Sequence, residues 1–75
     1  MRAFVVIQDR FGDQHAHELR GGDIEKTARS FRDSMPFDDD ERLFVGTVNA
    51  PDAGAARLKR VVWRYRLKGE KFTRR

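Results

Sequence analysis

The stretch that decides the fold runs from Leu58 to Lys68 and reads Leu-Lys-Arg-Val-Val-Trp-Arg-Tyr-Arg-Leu-Lys. It contains the only tryptophan and the only tyrosine of the chain. Successive side chains of a β-strand point to opposite faces, so a period of two sorts these residues into two sets. The apolar set consists of Val61, Trp63, Tyr65 and Leu67. The pattern therefore predicts an amphipathic strand from about residue 58 to 68, whose basic face carries Arg60, Arg64, Arg66 and Lys68.

A helix is the alternative interpretation of this stretch, because Leu58, Val62 and Tyr65 also recur at helical spacing. A helix would leave Trp63 and Leu67 outside its apolar stripe. The stretch is also rich in β-branched and aromatic residues, which favour a pleated surface. We therefore expect a strand.

The length of the chain, 75 residues, predicts one small domain, 1–75, with a frayed basic tail at 70–75. The absence of cysteine excludes disulfides and thiolate metal sites. The apolar run before Gln8 is too short for a signal peptide or a membrane span, so we expect a cytoplasmic protein.

Charge is distributed unevenly along the chain. Residues 1–54 hold seven Lys or Arg and eleven Asp or Glu, whereas residues 55–75 hold nine basic residues and one acidic residue. A cationic block attached to an acidic body suggests an anionic partner or a pairing between the two parts.

The order of predicted elements is β-β-α-β-β, with a possible short fifth strand. Strands are expected at 2–9, 14–20, 43–48 and 58–68, with an edge strand at 71–73 after a turn at Gly69. Asp23 is the expected N-cap of the helix, and Pro36 ends it. This order predicts an α+β fold of two layers, with a single helix packed on an antiparallel sheet of four to five strands.

Several short segments carry a resemblance to a known group of proteins: Met1-Arg2-Ala3 followed by Val5-Val6-Ile7, the Gly46-Thr47-Val48 strand, and Trp63-x-Tyr65 with Gly69 and Phe72 after it. Their layout resembles that of some small phage-encoded anti-CRISPR proteins, which place one helix against a bent antiparallel sheet. The resemblance implies a non-enzymatic inhibitor that docks on a nucleic-acid-handling complex. The acidic run at 38–41, the loop at 50–57 and the basic tail depart from that pattern, and no binding residue is transferred from it.

The basic face of the fourth strand is the principal candidate site. Alternate residues on a strand are about 6.6 Å apart, comparable to the spacing of phosphates along a nucleic-acid strand. Arg60, Arg64, Arg66 and Lys68 are therefore candidate phosphate contacts, with Lys59 and Lys71 extending the field. The structural alternative is that these charges protect a solvated strand against aggregation. We expect a small non-catalytic binding protein whose basic face engages nucleic acid or a nucleoprotein complex.

The alternative function is that of a protein–protein adaptor or phage-type inhibitor, which could act as a homodimer and does not bind nucleic acid. Its candidate docking residues are Phe4 and Val6, on the second face of the first strand, and the acidic residues Asp38, Asp39 and Asp40. No motif in the chain indicates a reaction, so we expect no enzymatic activity and no cofactor.

Four weaker patterns have structural alternatives. Trp63 and Tyr65 suit base stacking, but their apolar neighbours favour a place in the core beneath the helix. The alternation of Asp13, His15 and His17 would place three potential metal ligands on one side of the second strand. Packed histidines explain the same pattern, and we expect no metal site. The acidic run at 38–41 lacks the ligand spacing and glycine of an EF-hand loop. Gly21-Gly22 is explained as a loop that leads into the helix cap.

Overall fold

The computed structural model describes residues 1–57 and 63–74. Its elements are β1 (Arg2–Gln8), β2 (Gln14–Glu18), α1 (Ile24–Ser34), β3 (Arg42–Ala50), β4 (Tyr65–Lys68) and β5 (Lys71–Arg74). The five strands form one antiparallel sheet in the order β2-β1-β3-β4-β5, and α1 packs on one face of it. The predicted α+β fold is confirmed.

Helix α1 begins and ends where the sequence predicts. The Asp23 carboxylate caps the helix by accepting a hydrogen bond of 2.9 Å from the Lys26 backbone N–H. Met35, directly before Pro36, leaves the helical conformation. Within residues 1–57 and 63–74, no helix combines the length and apolarity needed to cross a membrane.

The two faces of the sheet bury different sets of side chains. The helix face forms the larger core, which consists of Val5, Ile7, Ala28, Phe31, Leu43, Val45 and Leu67. On the opposite face, here called the outer face, Phe4 packs with Ala50 and with Ala56 from the loop after β3. Apolar residues at consecutive positions of β1 place side chains on both faces of the sheet, and both sets are buried.

The burial of β1 corrects one expectation about docking. Phe4 and Val6 are 2% and 0% exposed, so neither offers the accessible apolar surface that the adaptor hypothesis assigned to them. Contacts within this chain exclude both side chains from solvent. Strand β1 lies between β2 and β3 in the sheet, and Phe4 packs against Ala50 and Ala56.

Strand β4 is shorter than predicted. It begins at Tyr65, after Trp63 and Arg64, and the rest of the predicted strand, 58–62, lies outside the described residues. The Trp63 ring is buried 6.3 Å from the ring of Phe44 on the outer face, whereas Tyr65 stacks on Phe72 at 5.2 Å on the helix face. The expectation that Trp63 and Tyr65 share one face is wrong, because the alternation of side chains holds only within the strand.

Residues 71–74 form the short edge strand expected at 71–73, which lies within the segment 70–75 that was also expected to be a frayed tail. The turn Gly69-Glu70 joins β4 to β5, and Gly69 has a φ of 54°, which glycine adopts without strain. From α1, the guanidinium groups of Arg29 and Arg32 donate hydrogen bonds to the carbonyls of Glu70 and Gly69, respectively. The helix therefore holds this hairpin in place.

Candidate nucleic-acid interface

Three basic residues line up across three neighbouring strands. Arg42 is paired with Lys68, and Lys68 is paired with Lys71. The adjacent residues Leu43 and Leu67 are buried in the core on the helix face, so the three cations lie on the outer face. All three side chains are exposed. We call Arg42, Lys68 and Lys71 the cation row.

The cation row brings like charges close together. Neighbouring strands are about 4.8 Å apart, so the row spans about 10 Å between the backbones of Arg42 and Lys71. Like charges directly opposite each other in a sheet are destabilising. Among the ion pairs of residues 1–57 and 63–74, none includes a member of the row. The row therefore concentrates positive charge on the outer face at a cost to the stability of the sheet.

The other basic residues predicted for this face have different surroundings. Arg66 lies in the next row, where its guanidinium carbon is 5.7 Å from the centre of the Phe44 ring. Its Nε is buried and has no hydrogen-bond partner in the described part of the chain, as is also true of the Trp63 Nε1. Arg64 is exposed directly before β4. Lys59 and Arg60 lie outside the described residues.

The sequence prediction missed one member of the row. Arg42 stands at the start of β3, far from the basic stretch, and no local pattern relates it to Lys68. Only the pairing of β3 with β4 brings the two together. The hairpin turn at Gly69-Glu70 was the one signal that placed Lys68 beside Lys71.

The acidic run at 38–41 lies at the same end of the sheet. A cavity of about 470 Å³ is lined by Asp39, Asp40 and Glu70 together with Lys68, Gly69 and Lys71. Asp38 instead forms an ion pair of 2.7 Å with Arg10. The run thus supplies negative charge beside the cation row without closing an ion pair onto it in the described residues.

The two histidines have separate partners. His15 Nε2 lies 3.0 Å from Asp9 Oδ2, and the His17 ring packs edge-on against Phe31 with 5.1 Å between ring centres. Burial raises the pKa of Asp9, but hydrogen bonds from His15 and from the backbone N–H groups of Asp13 and Phe11 outweigh it, so the pKa is lowered overall. In the described ranges, no group of three His, Asp or Glu residues is arranged to hold a metal ion.

Comparisons of the chain with protein-family models, with curated proteins and with solved structures found no match.

Proposed function

We propose that the chain is a small non-catalytic binding protein whose outer sheet face engages nucleic acid or a nucleoprotein complex. The observation that carries the proposal is the cation row, in which Lys68 lies directly between Arg42 and Lys71. A phosphate backbone placed across the row would turn a repulsive cluster into an attractive one and would release condensed counterions.

The geometry suits a backbone contact without base readout. Lysine and arginine side chains are long and flexible. Residues on neighbouring strands, whose backbones are about 4.8 Å apart, can therefore place their charges at successive phosphates. The exposed Arg64 adds a fourth contact beside β4. Trp63 is 4% exposed and therefore does not provide a stacking platform. Such contacts give affinity that depends on salt and carry no direct sequence information.

A second candidate function, a protein–protein adaptor or inhibitor, is favoured by one exposed aromatic side chain. Phe11, at the tip of the β1–β2 hairpin, is 76% exposed. The Arg10 guanidinium carbon lies 5.0 Å from the centre of its ring, and Arg10 is itself paired with Asp38. A complex formed through Phe11, with another protein or a second copy, would survive high salt and would be lost in the Phe11→Ser variant.

The cation row is tested by fluorescence anisotropy with labelled single- and double-stranded DNA and RNA. Four phosphate contacts predict a log–log slope of affinity against salt of about −3 to −4 between about 50 and 300 mM salt. The double variant Lys68→Glu/Lys71→Glu should abolish binding and retain the circular dichroism spectrum of the wild type.

The matched control is Arg57→Glu/Arg74→Glu, which changes the net charge equally at exposed positions outside the row. We expect the control to retain most of the affinity, because its charges lie away from the row. Absence of binding at about 50 mM salt would contradict the proposal. Equal loss in both double variants would also contradict it, since it would show attraction by net charge alone.

A further inference from the structure

A second basic concavity lies on the helix side, at the β2 edge of the sheet. It has a volume of about 350 Å³ and lies between the end of β2, the following loop and the first turns of α1. Its lining consists of His17, Arg20, Gly21, Lys26, Thr27 and Ser30. Since β2 and β5 are at opposite edges of the sheet, this pocket is separate from the cation row.

Hydrogen bonds and ring packing hold the walls of the pocket in place. Thr27 is 5% exposed, and its hydroxyl donates to the Asp23 carbonyl at 2.8 Å and accepts from the Arg20 N–H at 3.4 Å. This side chain ties the loop to the helix. The His17 ring is oriented by its edge-on contact with Phe31. These contacts fix Thr27 and His17 in the wall of the pocket in the absence of a ligand.

The charged groups of the pocket are basic. Arg20 and Lys26 are exposed, and neither joins an ion pair within residues 1–57 and 63–74. The Ser30 hydroxyl likewise makes no hydrogen bond in those ranges, and the lining contains no carboxylate. The nearby Asp23 carboxylate is outside the lining and is engaged by the Lys26 backbone N–H.

We propose that this pocket binds a small phosphate monoester, such as a sugar phosphate or a nucleoside monophosphate. The planar guanidinium of Arg20 matches two phosphate oxygens, Lys26 supplies a compact charge, and His17 and Ser30 offer further donors. The volume falls at the lower end of the range for small-molecule pockets, which suits one phosphorylated unit. The proposal does not depend on nucleic-acid binding at the cation row.

Titration followed by amide chemical shifts in NMR spectra tests the proposal. The probes are adenosine 5′-monophosphate, ribose 5-phosphate, inorganic phosphate and the uncharged control adenosine. We expect both esters to shift the amides of residues 17–30 saturably, with a Kd below about 1 mM, and adenosine to leave them unchanged. Arg20→Gln and Lys26→Gln should each weaken binding about tenfold, because each removes a charged donor.

Arg57→Gln is the matched control, since it removes one exposed positive charge outside the pocket. It should leave the affinity for both esters unchanged. An equal weakening by Arg57→Gln would overturn the proposal, because it would indicate diffuse attraction. Lack of saturation at about 10 mM ester, or equal affinity for adenosine or for inorganic phosphate, would overturn it as well.

Discussion

Replacing Lys68 with glutamate should make the protein more stable and weaken its binding to nucleic acid. Lys68 is paired with Arg42 on one side and with Lys71 on the other. The Lys68→Glu change converts two repulsive cross-strand pairs into two attractive ones. At the cation row, it also places a negative charge in the centre of the proposed phosphate contacts.

The expected gain in stability is about 1 kcal/mol. Cross-strand charge pairs contribute about 0.2 to 1 kcal/mol each, and exposed pairs such as these fall toward the lower values. For a domain of this size, about 1 kcal/mol corresponds to a rise in Tm of about 4 to 8 °C. The gain should shrink in about 1 M salt, where the Debye length is about 3 Å. Affinity for nucleic acid at low salt should fall at least about tenfold.

Thermal unfolding followed by circular dichroism, at low and high salt, measures the change in stability. Arg57→Glu provides the control, since it alters the net charge equally at an exposed site and should change stability by less than about 0.5 kcal/mol. A lower Tm for Lys68→Glu would refute the reasoning. It would show that Asp39 and Asp40, which share a cavity with Lys68, stabilise the lysine more than its cationic neighbours destabilise it.

Two further predictions concern the turns of the sheet. The lowered pKa of Asp9 means that its carboxylate stabilises the fold above pH 3.8 and loses this effect as the pH falls through the folded-state value. Asp9→Asn should therefore cost about 1 kcal/mol at neutral pH, and urea unfolding should show this difference shrink as the pH falls below 3.8; a constant difference would contradict the assignment. Arg32→Gln should cost about 1 to 2 kcal/mol and speed amide hydrogen exchange in β4 and β5 more than in β1, because it removes the bond to the Gly69 carbonyl. Uniform acceleration across the sheet would argue against this local role.

The elements that the sequence predicted correctly have local signals. Asp23 and Pro36 mark the ends of α1. The turn at Gly69 predicts the last hairpin. Each of these signals lies within a few residues of the feature that it determines.

The features that the sequence did not predict depend on contacts between distant residues. Arg42 joins the cation row only through the register of β3 against β4. Trp63 lies on the outer face because β4 begins after it, and the alternation alone does not define where a strand begins. Arg20 and Lys26 meet at one pocket because the intervening loop turns through Gly21 and Gly22, whose φ values are 63° and 74°.

Two arginines of α1 connect the stability of the fold to the candidate interface. Repulsion between Lys68 and Lys71 acts to separate the ends of β4 and β5 next to their turn. On the opposite face, Arg29 and Arg32 donate hydrogen bonds to the two carbonyls of that turn, and Arg29 also lies 3.3 Å from the Glu70 carboxylate. These contacts are made on the helix side of the sheet, and they oppose the repulsion between the two lysines. The helix itself places no carboxylate beside the lysines on the outer face. The helix thus keeps the lysines aligned on the face where we propose that an anionic partner binds.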